Sequence, residues 1–246
     1  MRFFSIFCVV GLALALSVEG ALSGIFLQLT DTHLLRGYRE GTDPDQDCIA
    51  GTGSAGEFGD YDCDASYALK NFTRDTLKQR KKPDFILYTG DHIAITDPNE
   101  SMEDAKWYIR DAAQLLSDIR DAYGPDVRVF PMVGNHDSYP AFQFPESGPY
   151  WVYDTAAEAW KDFLQPDSLK TVRQGGYYTE LIEPGLRIVV VNTAMYYFSN
   201  DMFPTSVVDP GGQLAWLRSV LQKAKDAGEA VFVAAHVPPG GSLGVC

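Results

Sequence analysis

Histidine is scarce in this chain, with 4 among 246 residues. Basic residues are also short: 20 lysines and arginines face 33 aspartates and glutamates, for a net charge of −13. So acidic a protein repels a phosphate backbone. That excludes a nucleic-acid duplex as partner and disfavours other polyanions unless metal ions neutralise the site. There is no internal repeat and no low-complexity tract. Beyond residue 20 no apolar run is long enough to cross a membrane, which excludes stable membrane insertion there. What the chain does have is core-forming material. It is 46% hydrophobic, with 14 Phe and 13 Tyr, enough for one sizeable core and one domain.

The early apolar run, FFSIFCVVGLALAL, follows Arg2 and is too short to span a bilayer comfortably. Residues 1–20 therefore read as a signal peptide, with Val18 and Gly20 small enough for cleavage before Ala21. Residues 21–246 read as the folded domain. The expected location is outside the cell or in a lysosomal or vacuolar lumen. Cysteine is sparse, at 4. Cys8 leaves with the leader and Cys246 stands alone. In an oxidising compartment Cys48 and Cys63 are expected to pair, closing a loop of roughly 15 residues worth about 3 kcal/mol in chain entropy. Asn71-Phe72-Thr73 and Asn99-Glu100-Ser101 fit the glycosylation acceptor pattern, giving Asn71 and Asn99 as candidates.

Apolar runs alternate with amphipathic ones. GIFLQLT, DFILYTG, VRVFPMV, GYYTELI, LRIVVVNT and AVFVAAH read as strands, the fourth and fifth joined as a hairpin around Pro184-Gly185. Helical spacing covers about 65–80 with Asp64 as N-cap, about 101–123 stopped by Gly124-Pro125, and 153–164. A last helix presents Leu214, Leu217, Val220, Leu221 and Ala224, with Asp209 as cap, Pro210 at its first position and an end near Gly228. Strands alternating with helices imply an α/β fold whose site lies on loops at the strands' C-terminal ends.

The scarce histidines all sit at such ends. The first strand runs into Asp31-Thr32-His33, the second into Gly90-Asp91-His92, the third into Gly134-Asn135-His136-Asp137, and the last into His236. Carboxylate, imidazole and amide oxygen together suit a borderline or hard divalent metal such as zinc, manganese or iron. The D-x-H spacing fits one metal, since alternate residues leaving a strand can point the same way.

This ordered set of motifs resembles the calcineurin-like metallophosphoesterase superfamily. A narrower resemblance, to acid sphingomyelinase-like phosphodiesterases, runs through LTDTH, FGDYDCDASYAL, YTGDH, VFPMVGNHDSYP, GGYYTELI, LRIVVVNTAMYY, DPGGQLAWL and AAHVPPG. It implies an α/β (α+β) fold, a β-sandwich flanked by helices, holding two divalent metal ions, zinc by preference and manganese or iron as alternatives. Asp31 and His33 would bind the first, Asp91 would bridge, and Asn135 and His236 would bind the second. Two such cations clamp phosphate oxygens and activate a water. His136, held by Asp137, would protonate the leaving oxygen or bind developing charge. The implied reaction is hydrolysis of phosphodiester or phosphoanhydride bonds in a small phosphorylated substrate of the nucleotide or phosphocholine ester class.

The chain also departs from the pattern. Ile95 stands where close relatives carry a phosphate-contacting His, and His92 beside Asp91 reads either as a poor substitute or as a surface residue. The G-H-x-H segment of the family does not occur before Cys246, so the domain is expected to be incomplete at its C-terminal side and weak in metal binding. Ala94 occupies the place of a purple acid phosphatase's Tyr, disfavouring an iron–tyrosinate site. The alternatives are an endopolyphosphatase-like hydrolase and a catalytically impaired secreted binding glycoprotein.

Overall fold

A computed structural model describes residues 24–96, 101–202 and 207–238. In chain order these form β1 (Phe26–Leu29), α1 (Tyr67–Leu77), β2 (Phe85–Tyr88), α2 (Met102–Tyr123), β3 (Arg128–Pro131), α3 (Trp151–Ala159), α4 (Pro166–Gly175), β4 (Tyr178–Glu183), β5 (Leu186–Val190), α5 (Gln213–Ala227) and β6 (Ala230–Ala234). Strands β1, β2 and β3 make a parallel three-stranded sheet, with Phe26 opposite Phe85 and Phe85 opposite Arg128. In the second sheet β4 pairs antiparallel with β5, and β5 pairs parallel with β6.

Strand β2 explains why the sheets stack. Every residue of FILY is buried, so the strand is covered on both faces. Phe85 and Leu87 point into a core shared with Tyr178, Ile188, Val190 and Phe232 of the second sheet. Ile86 and Tyr88 point the other way, against Leu115, Leu116 and Ile119 of α2. The two-residue alternation of a strand thus feeds both cores. Aromatic contacts knit the sheets: Phe26 and Phe85 meet Phe232 edge-on at 5.7 and 6.2 Å. Tyr178 donates to the Pro131 carbonyl at 2.9 Å, and Arg128 bonds Glu180. The expected sandwich flanked by helices is what forms. No described helix is long and apolar enough to cross a membrane.

Helix ends differ from the expectation in instructive ways. Asp64 does not cap α1. Ser66 does, accepting from Leu69 N at 3.1 Å, because the Asp64 carboxylate is drawn to the loop after β2, where it accepts from Ile95 N at 2.7 Å and Thr96 N at 2.8 Å. The third helix begins and ends earlier than 153–164, at Trp151–Ala159. Helix α4 was not anticipated, although Pro166 in its first turn and Gly176 at φ 74° after its end are the usual start and stop signals. Asp209 accepts from Leu214 N at 2.7 Å and Ala215 N at 3.0 Å, but Pro210 is not in the helix. Gly211 and Gly212, at φ 64° and 67°, interrupt the chain before α5 starts. On α5 Val220 and Ala224 are buried, whereas Leu214 and Leu221 are exposed. The Cys48–Cys63 disulfide forms, with Cα atoms 6.0 Å apart. The Asn71 acceptor lies within α1. Residues 1–20, Asn99 and Cys246 lie outside the described residues.

The parallel sheet delivers its C-terminal strand ends to one edge, where β2 and β3 come unusually close. A Cβ on Gly90 (φ 96°) would strike the Gly134 backbone, and one on Gly134 would strike the Asp91 carboxylate. Only glycine fits at either place. The buried Asp137 carboxylate closes the gap as a clip, accepting from Gly134 N at 2.8 Å, Asp91 N at 2.9 Å and His92 N at 2.9 Å. Asp137→Asn keeps the shape but turns an amide NH₂ toward backbone donors. It should lower unfolding free energy by about 1.5–3 kcal/mol, read from denaturant unfolding. A wild-type midpoint in that variant would show that the charge does not hold the strand ends together.

Candidate metal centre

Asp91 stands at the middle of the site. It is buried, and its backbone is left-handed at φ 59°. One carboxylate oxygen, Oδ1, accepts from His136 N at 2.8 Å. The other, Oδ2, lies 3.2 Å from His236 Nε2 and 3.7 Å from His33 Nε2. Asp31 adds Oδ1 at 3.7 Å from the same His33 nitrogen, while Thr30 donates to its second oxygen. Asn135 Oδ1 sits 2.9 Å from His236 Nε2. The ligand atoms of Asp31, Asp91 and His236 all lie within 4.8 Å of one another. His33 flanks that group on the Asp31 side and Asn135 on the His236 side. All five residues expected to bind metal are therefore brought together.

The convergence is not achieved as the D-x-H spacing suggests. Strand β1 ends at Leu29, and Asp31 and His33 follow in left-handed conformations, at φ 49° and 32°. Turns in the loop, rather than strand alternation, aim the two side chains. Non-glycine residues in this region each cost on the order of 1–3 kcal/mol and persist only where the surroundings over-determine them. Backbone bonds from Asp31 N to Gly90 O at 2.9 Å and from His33 N to Asp91 O at 3.1 Å provide part of that hold.

The His33 and His236 imidazoles are both oriented by backbone carbonyls. His33 Nδ1 lies 2.8 Å from Ile93 O, and His236 Nδ1 lies 2.7 Å from Thr89 O. A carbonyl only accepts, so each Nδ1 carries its hydrogen and each Nε2 faces the carboxylates, the arrangement that readies a histidine to ligate. Burial pushes both imidazoles down. For His33 the bonds to Asp31 and Ile93 and the Asp91 charge outweigh it, and for His236 the Asp91 carboxylate does, so both are raised to about 9. A proton held between converging carboxylates is the charge a dication would replace on binding. The donor set thus fits divalent metal, and Ile93 and Thr89 contribute through carbonyls that no side-chain motif could have revealed.

His136 lies beside the cluster. Its ring is 4.5 Å from Phe142 and 5.2 Å from His33, and its ring nitrogens make no hydrogen bond among the described residues. Burial lowers its pKa. Asp137 does not hold this ring, contrary to expectation, because its oxygens are occupied by the backbone N–H groups described above. His92 is not a surface residue. It is 1% exposed and turns away from the cluster to Asp111 Oδ2 at 2.9 Å. Ile95 is 56% exposed, its N–H bound to Asp64.

An open cleft of about 670 Å³ leads from Asp31 and His33 onto the disulfide loop, where Phe58, Asp60 and Tyr61 line it, with Leu69 of α1 beside them. No lysine or arginine is among its lining residues. The place of these loop positions beside the cluster was not anticipated. Backbone bonds from Ala65 N to His33 O at 2.8 Å and from Leu35 N to Ala65 O at 2.9 Å bring the loop there, and no side-chain pattern signals them.

Comparison with known proteins agrees with the geometry. The calcineurin-like phosphoesterase family model matches residues 25–245. A sphingomyelinase phosphodiesterase C of Dictyostelium discoideum is 39% identical over 89% of this chain and 50% of its own length. An acid sphingomyelinase-like phosphodiesterase 3b of Mus musculus is 39% identical over 91% of this chain and 50% of its own. A bovine cyclic GMP-AMP phosphodiesterase SMPDL3A is 33% identical over 94% of this chain and 52% of its own. The chain thus spans about half the length of these relatives. A solved dimetal phosphatase from Danio rerio aligns with 87% of this chain and 70% of its own at 17% identity and a TM-score of 0.42, too distant to carry an argument. On the span of the family match and those identities, the chain belongs to the calcineurin-like phosphoesterase family.

Proposed function

We propose that the protein is a metal-dependent hydrolase of small phosphodiesters, using two divalent ions that share Asp91. The observation that carries this reading is the Asp91 Oδ2 atom, set between His33 Nε2 at 3.7 Å and His236 Nε2 at 3.2 Å. Asp31 with His33 would hold one ion and Asn135 with His236 the other. The relatives' names support phosphodiester chemistry. Bound there, the ions would neutralise phosphate oxygens and lower the pKa of water toward neutrality. Zinc is the expected metal in a lumenal or secreted protein, a location supported by the leader-like residues 1–20 and the Cys48–Cys63 disulfide.

The other residues have distinct tasks. Asp137 sets the distance between the ends of β2 and β3, and hence between Asp91 and Asn135. His136 has ring nitrogens free to meet substrate. With its pKa below the ordinary value it offers an N–H donor at neutral pH, suited to the oxygen on which negative charge develops. Phe142 packs on the imidazole and limits its rotation.

The cleft supports one substrate reading over the other. Its carboxylates, Asp31, Asp60 and Asp64, share a lining that holds no lysine or arginine, and His33 beside Asp31 belongs to the metal cluster. A long polyanion would meet uncompensated charge beyond the metals, at a cost that grows with each further phosphate. A single phosphodiester places its charge at the metals and a neutral or cationic remainder along Phe58 and Tyr61. This favours a small phosphodiester over polyphosphate.

Asp91→Asn should remove most bound metal and most turnover, since it weakens both halves of the site at once. Elemental analysis alongside a bis(p-nitrophenyl) phosphate assay checks this, and wild-type metal content with full turnover would sink the shared-ligand reading. His136→Ala should keep its metal while turnover falls roughly 10²–10⁴-fold. Metal loss as large as in Asp91→Asn would instead make His136 a ligand. In competition assays, polyphosphate should inhibit more weakly than a mononucleotide or phosphocholine ester. Tighter binding of polyphosphate would reverse the substrate assignment.

A further inference from the structure

Directly beneath the metal centre lies a buried polar chain that the proposed chemistry does not use. His92 is 1% exposed, and both of its ring nitrogens are engaged. Nε2 meets Asp111 Oδ2 at 2.9 Å. Lys70 Nζ meets both Asp111 oxygens at 2.8 Å, so α1 and α2 together brace that carboxylate. On the other side, His92 Nδ1 bonds the Thr32 hydroxyl, which also lies 3.1 Å from Tyr88 OH. Thr32 is the residue between the two ligands Asp31 and His33.

We propose that His92, braced by Asp111 and Lys70, is a positioning residue that fixes the Asp31–His33 half of the metal site through the Thr32 hydroxyl. The proposal rests on the metal-site reading above. Its force comes from where the chain of bonds ends. A histidine that merely satisfied a core carboxylate would have no reason to reach the ligand loop. Here the loop's two ligands are in left-handed backbone, a conformation that must be imposed from outside. Backbone bonds hold the residues on either side of Thr32, and the Thr32 side chain pins the middle.

The bonds also have a direction. Asp111 is held ionised, because burial is outweighed by the His92 and Lys70 hydrogen bonds, and an ionised carboxylate only accepts. Nε2 of His92 therefore donates to Asp111, and in the neutral imidazole Nδ1 then receives the Thr32 hydroxyl. Thr32 Oγ1 then accepts from Tyr88 OH. Each group has one partner for each role, so the hydroxyl has a single favourable rotamer. Groups behind metal ligands typically change metal affinity 10–100-fold when removed.

The test uses the whole chain loaded with cobalt(II), whose visible absorption reports ligand geometry without any turnover. Thr32→Val keeps the shape and deletes the hydroxyl. His92→Gln retains an amide toward Asp111 but leaves the Thr32 hydroxyl without its acceptor, with Tyr88 as its remaining partner. Both should weaken cobalt affinity roughly 10–100-fold and alter the absorption band. Thr32→Ser restores the hydroxyl, and His92→Asn places an amide at the Nδ1 position, so both should recover most of the affinity. Glu229→Gln breaks the Arg187 pair at the opposite end of β6 and serves as a control for general destabilisation. It should lower the melting temperature and leave the spectrum alone. Wild-type affinity and spectrum in Thr32→Val and His92→Gln would overturn the proposal, as would Thr32→Ser behaving like Thr32→Val. A wild-type chain that binds no cobalt would overturn both this inference and the metal-site reading. Binding by wild type with unaffected variants removes this inference alone.

Discussion

A carboxylate buried among other carboxylates is the constraint from which the rest follows. Asp91 is 2% exposed and has Asp137 behind it and Asp31 beside it. An isolated charge in such a place costs many kcal/mol, so the protein must surround each with donors or cations. Asp137 is satisfied by backbone N–H groups from both strand ends. Asp91 takes one N–H and is left with one oxygen facing two imidazoles. The carboxylate charge converging there is offset by imidazole protons, which a bound cation can replace.

That requirement shapes the backbone around it. The strand ends can approach only because residues 90 and 134 lack side chains, and the approach lets one aspartate clip both ends. The clustered residues then cannot continue as extended strand. Asp31, His33 and Asp91 all adopt left-handed backbone, so conformational strain is concentrated at the candidate metal centre. Stacked sheets and the helices α1 and α2 supply the rigidity that maintains this arrangement.

The split between the two faces of the site has a similar origin. The clustered carboxylates and imidazoles follow directly after strands whose positions are set by a core packed on both sides. The cleft-lining groups Phe58, Asp60 and Tyr61 lie on a loop closed internally by the Cys48–Cys63 disulfide.

The sequence by itself determined the six strands, all the helices but α4, and which carboxylates, imidazoles and amide cluster at the strand ends. The alternation of apolar runs is a local consequence of burial, and four histidines at strand ends are conspicuous in a chain with no others. Cys48 and Cys63 were also legible, from compartment and proximity in the chain. Only the tertiary structure decided the roles of residues that differ by where they point. Asp137 and His92 look in the sequence like further catalytic or surface groups. Folded, Asp137 faces backbone donors and His92 faces Asp111 on a helix. The cap of α1 fell to Ser66 because Asp64 was claimed by a loop thirty-odd residues away in sequence. Helix α4 rested on tertiary contact more than on its own apolar spacing, with Ser168, Val172 and Gly175 as its buried positions. Residue type and spacing fix which chemistry a position can perform. Which partner it meets depends on contacts between segments far apart in the chain, and those exist only once the core has brought them together.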